Sequence, residues 1–152
     1  MIFDLNINKM KTLLLSLVGL SILLAASCNK DNNNTSSIST TEVTNTITSG
    51  TWRITYYWDT DHDETVNFSG YVFSFGAGNV LTAIKTSSTV TGTWSVGTDD
   101  SKVKLFLSFT TPANFAEISD DWHVTERTAT RIKLQDLSGG NGGTDYLTFE
   151  KN

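Results

Sequence analysis

The chain has 152 residues, 11 Lys and Arg against 16 Asp and Glu, and a formal net charge of -5. That length fits one domain with extensions. The acidic balance and the lack of a basic stripe exclude nucleic acid as a partner, and a single Cys excludes an internal disulfide.

Leu is concentrated in the first 27 residues. Leu13 to Ala26 is an apolar run broken only by Ser16, Gly19 and Ser21. Its 14 residues are too few for a bilayer span, which takes about 20. Lys9 and Lys11 precede the run and small residues follow it, the order of a secretory signal. The segment Leu24-Ala25-Ala26-Ser27-Cys28 that ends it resembles the lipobox of bacterial lipoproteins. The resemblance implies a signal peptide over 1–27, cleavage before Cys28, a thioether-linked diacylglycerol on its sulfur and acylation of its freed amine. Two or more acyl chains hold a protein stably at a bilayer where one does not. The expected partner is therefore a membrane, and the expected location is the outer membrane. Lys30-Asp31 after the Cys resembles export signals that carry lipoproteins to the cell surface, and reads equally well as polar spacer.

Residues 28–49, after the Cys, are rich in Asn, Ser and Thr with few apolar positions. Such a segment cannot bury enough surface to order itself and reads as a flexible tether.

From Gly50 to Asn152, period-two alternation dominates. The first strand is Thr51 to Asp59, with Trp52, Ile54, Tyr56 and Trp58 expected on one face and Arg53, Thr55 and Tyr57 on the other. A polar loop separates it from Gly70 to Phe75, where Tyr71, Phe73 and Phe75 share a face. Gly76-Ala77-Gly78-Asn79 reads as a turn. Further strands are expected at Val80 to Lys85, Thr89 to Val96 and Val103 to Phe109. Pro112 to Asp120 breaks the alternation, with one helical turn expected around Phe115 and Ile118. Trp122 to Thr128, Thr130 to Leu137 and Asp145 to Glu150 complete the set, the last two separated by a glycine-rich loop. Eight short strands joined by tight turns predict an all-β fold, a small eight-stranded antiparallel up-and-down barrel whose closure removes exposed edges.

Gly50-Thr51-Trp52 at the head of the first strand resembles the lipocalin (calycin) signature. The resemblance covers residues 50–152. It implies a barrel end closed by Trp52 under an Arg from a late strand, with Arg131 the matching residue and Arg127 the second. It implies no reaction. At 103 residues this domain is small for the family, which favours a lumen filled by its own side chains. Gly92-Thr93-Trp94 echoes the signature within the fourth strand.

Three groups are candidates for function. Asp59, Asp61 and Asp63 alternate like the head of a calcium loop, but Glu64 and Gly70 stand where an EF-hand has Gly and Glu. They read as a solvated acidic loop or a looser calcium site. Tyr56, Trp58, Tyr71, Phe73 and Trp122 fit either core packing or an aromatic end that binds a small hydrophobic ligand or a glycan. His62 and His123 are the only histidines, neither has a His or Cys at zinc spacing, and no nucleophile elbow is present. The expectation is a non-catalytic binding module; the alternative is a structural or interaction module acting through its acidic loops.

Overall fold

The computed structural model describes residues 37–137 and 143–152. The segment expected to be a signal peptide, Cys28 as the expected lipidation site and the first part of the expected tether lie outside the described residues, as does most of the glycine-rich loop.

The elements in chain order are α1 (Thr40–Ile47), β1 (Trp52–Asp59), β2 (His62–Asp63), a 3-10 turn (Thr65–Phe68), β3 (Val72–Phe75), a second 3-10 turn (Ala77–Asn79), β4 (Val80–Lys85), β5 (Ser88–Asp99), β6 (Lys102–Ser108), α2 (Ala113–Glu117), β7 (Asp121–Arg127), β8 (Arg131–Leu137) and β9 (Thr144–Lys151). The two-residue β2 only prolongs a hairpin on β1, pairing Trp58 with Asp63. The other eight strands pair with their sequence neighbours, and β9 returns to β1. This is a closed antiparallel up-and-down barrel, as the alternation predicts.

The seam between β1 and β3 is short, with Trp52 opposite Phe73 as its paired position. The first 3-10 turn covers the rest of it. The Tyr57 amide donates to Thr65 Oγ1 at 2.8 Å, and the Glu64 amide donates to the Tyr57 carbonyl at 2.9 Å. Backbone groups that a full ladder would pair thus find partners locally.

Two findings differ from the sequence reading. First, the register of β1 against β9 shifts between Ile54 and Tyr56. Such a bulge reverses the side-chain alternation beyond it. Trp52 and Ile54 face inward as expected, but Tyr57, not Tyr56, is the next buried residue. Second, the end of the segment read as tether is a packed helix. In α1 the Ser39 hydroxyl accepts from the Glu42 amide, and the Glu42 carboxylate accepts from the Ser39 amide, a reciprocal cap. Val43 and Ile47, one turn apart, are both fully buried. The Trp52 indole N–H donates to the Ile47 carbonyl at 2.8 Å, and Arg127 donates to Glu42 Oε1 at 3.0 Å. The compact unit therefore includes α1 and starts well before Gly50.

The interior is a continuous aromatic stack. Phe149 meets Phe73 and Phe75 with ring centroids 5.5 Å apart, and Phe75 meets Trp94 at 5.6 Å. Phe115, from the helical turn expected there, is fully buried and lies 5.0 Å from both Tyr71 and Phe109 and 5.4 Å from Phe68. Edge-on pairs of this kind add to the stabilisation from burial alone. Ile118 follows Phe115 inward, and its carbonyl accepts the Trp122 indole N–H at 2.9 Å. The barrel is thus corked at both ends, by α1 under Trp52 and by α2 above Tyr71.

Candidate functional site

With the interior filled, the surfaces that remain for recognition are the two rims and the outer wall. Among the described residues, the buried side-chain nitrogens and oxygens all have hydrogen-bond partners, so no polar group inside awaits a ligand.

The rim around α2 is acidic. The turn after β1 brings Asp59, Asp61, Asp63 and Glu64 together, with Glu117 of α2 beside Glu64. The His62 ring is held between Asp61 at 2.6 Å and Glu64 at 2.8 Å, and these carboxylates raise its pKa. Burial raises the pKa of Glu117, helped by the negative charges of Glu64 and Asp59. On the other side, Asp120, Asp121 and Asp136 place carboxylate oxygens within 4.8 Å of one another. Burial raises the pKa of Asp136, helped most by the negative charge of Asp120. The Tyr57 phenol, which donates to the Glu117 carbonyl, is pushed far up by burial and by Asp59, Asp145, Glu117 and Glu64. Asp145 raises the pKa of both the Tyr57 phenol and Asp136, so its charge reaches both groups of carboxylates.

The three aspartates expected to hold calcium are used separately. Asp59 accepts from the Thr60 hydroxyl, Asp61 binds His62, and Asp63 accepts from the Thr65 amide at 2.8 Å; hydrogen bonding to the Thr65 side chain and then to its amide lowers the pKa of Asp63. The carboxylate triplet that does converge, Asp120, Asp121 and Asp136, has the all-oxygen donor set of a hard cation. Lys104 already sits on it, bonded to Asp121 and 3.3 Å from Asp99.

The outer wall over β6, β7 and β8 has a cleft of about 220 Å³ lined by Lys102, Lys104, His123, Gln135 and Asp136. Burial lowers the pKa of His123, and Lys102 and Lys104 lower it further.

The aromatic residues expected to bind a ligand do not form one site. Phe73 and Trp122 are buried in the stack. Tyr71 packs its ring on Phe115, with Lys85 Nζ 5.5 Å from its centroid. Tyr56 is 39% exposed because of the bulge, and the Trp58 indole N–H donates to the Thr60 carbonyl at 3.2 Å.

At the α1 end Trp52 is buried, and the cation beside its ring is not the expected Arg131. Lys151 Nζ lies 5.6 Å from the Trp52 ring, whereas Arg131 donates twice to Glu126 Oε1, at 2.6 and 2.8 Å. Arg127 secures α1 instead. Gly50 has φ +85°, a left-handed conformation that suits glycine. In the echo, Gly92 serves a different need: a Cβ there would strike the Ser108 carbonyl oxygen and the Phe109 ring. Sequence reasoning missed Glu42 and its Arg127 partner. Ser39-Thr40-Thr41-Glu42, a capping-box spacing, is the signal that marks them.

No family model and no curated protein sequence matches the chain. Among solved structures, a DUF4847 family protein from Bacteroides vulgatus is similar at 18% identity and TM-score 0.48, over 72% of this chain and 97% of that one. An uncharacterised protein from Bacteroides eggerthii is similar at 16% identity and TM-score 0.42, over 66% of this chain and 97% of that one.

Proposed function

We propose that this protein is a lipid-anchored, non-catalytic interaction module of the bacterial outer membrane, with Cys28 as the acylated residue and the barrel as a rigid head that binds its partner through its outer surface. The filled interior carries this reading. A carrier of a small apolar ligand needs an open, largely apolar pocket of several hundred Å³. Here the aromatic stack and the two corks take that place, and the clefts described on the surface are lined mainly by charged and polar side chains.

The mass of the mature protein, purified from a Gram-negative host in mild detergent and recorded under native and denaturing conditions, tests both halves of the proposal. The expected result is acyl mass on the Cys28 peptide and no additional mass that denaturation releases. A releasable lipid-sized or glycan-sized cargo would restore the carrier reading. Unmodified Cys28 would remove the anchor.

A further inference from the structure

We propose that the outer wall running from β1 across β9, β8 and β7 to β6 binds a neutral glycan, with Trp58 and Tyr146 stacking on sugar rings and Gln135, His123 and Lys102 bonding their hydroxyls. The inference rests on the reading of the barrel as a head that binds through its outer surface, and deepens it by naming the site and the class of partner.

The strand register assembles the site. Trp58 pairs with Tyr146, Tyr146 with Gln135, Gln135 with His123, and His123 with Lys104. Directly opposed residues share one face of a sheet. Their chain neighbours Tyr57, Leu147, Leu134, Trp122 and Leu105 are all buried, so this row points outward. Five strands at about 4.8 Å spacing carry it over about 19 Å of curved wall, the length of a short oligosaccharide. The two aromatics stand at one end of the row and the cleft of about 220 Å³ at the other.

The aromatic end supplies flat apolar surface. The Trp58 indole N–H is bonded to the Thr60 carbonyl, which fixes that ring, and Tyr146 is 42% exposed. A sugar ring covers such a surface with its C–H face and keeps its hydroxyls free at the edge. The cleft end supplies partners for those hydroxyls. Among the described residues, none is hydrogen-bonded to the Gln135 side-chain amide, the His123 ring or the Lys102 ammonium. Burial and the two lysines favour the neutral imidazole, so one nitrogen of His123 donates and the other accepts. The Gln135 amide also does both. A hydroxyl needs that combination, because it too donates and accepts.

Charge selects a neutral ligand. Lys104 is bonded to Asp121 and lies 3.3 Å from Asp99, and Asp100 and Asp136 line the same cleft. An anion meets these carboxylates, and a cation meets Lys102 and Lys104. The cleft is smaller than a pocket for a drug-sized molecule and has room for one small polar ring. On an outer wall it holds that ring in exchange with solvent, not as cargo.

The test titrates the mature full-length protein, kept in a detergent without a sugar headgroup, with maltotriose, cellotriose, mannotriose or trigalacturonate. NMR of the His123 imidazole and Trp58 indole protons is the readout. The expected result is a saturable shift with at least one neutral trisaccharide and none with trigalacturonate. Tyr146→Ala with Gln135→Ala, both facing away from the core, should keep the wild-type melting temperature and weaken that binding at least about tenfold. Thr89→Ala, exposed on the opposite wall, should leave it unchanged. The site is overturned by the absence of a saturable shift with every neutral trisaccharide, by full affinity in the double variant, or by a response to trigalacturonate alone. Each of those outcomes leaves the outer-surface reading standing, since that reading falls only with releasable cargo or an unmodified Cys28.

Discussion

The two histidines are a matched pair of opposites. His62 is bridged by carboxylates that stabilise its cation, so its pKa is raised. His123 is partly buried beside Lys102 and Lys104, so its pKa is lowered. The signs on stability follow. The contribution of His62 is present below the ordinary value of about 6.5 and is lost as pH rises through its raised pKa. The contribution of His123 is present above about 6.5 and is lost as pH falls through its depressed pKa. The two oppose each other in any global unfolding curve, so the titration must be read residue by residue. NMR of the imidazole protons is expected to give one midpoint above and one below about 6.5, with the upper one moving down in Asp61→Asn. Two midpoints at the same ordinary value would mean that neither environment acts on its ring.

At the scale of elements, α1 is an integral part of the domain. Ile47 is fully buried, and truncating such a side chain removes both its transfer free energy and its packing. Ile47→Ala should cost about 2–5 kcal/mol, and Ser39→Ala, which breaks the reciprocal cap, about 1 kcal/mol. Urea midpoints decide it: unchanged values for Ile47→Ala would return α1 to the tether. The strands were legible because period-two patterning in a chain with Gly and polar turns leaves few other readings. The elements that escaped did so for physical reasons. The Thr-rich sequence of α1 has poor helix propensity, so its formation depends on burial of Val43 and Ile47 under a barrel that the local pattern does not contain. The bulge in β1 adds one residue without any Gly or Pro to mark it, and strict alternation then assigns Tyr56 and Tyr57 to the wrong sides. The acidic loop was legible as charge. Its union with Glu117 and Asp145 was not, because β9 and α2 meet β1 only after the barrel closes.

At the scale of the whole molecule, the question is whether this barrel is a container or a solid. Phe115 is the decisive residue, because it enters from α2 and touches the rings of Phe68, Tyr71, Phe73 and Phe109 at once. A barrel that uses its own helix as its cargo needs no ligand to be complete. Phe115→Ala should therefore do two things. It should destabilise by about 3–5 kcal/mol, the cost of truncating a buried aromatic in a core that relaxes only partly. It should also leave a dry apolar cavity at the α2 mouth, of the kind that takes up benzene or xenon. The expected outcome is that benzene raises the melting temperature of the variant, because binding to the folded state alone stabilises it by mass action, and leaves the wild type unchanged. A wild type that responds as strongly as the variant would mean that the interior holds accessible space despite the corks. In that case the lumen, rather than the outer surface, would be the place to look for this protein's ligand.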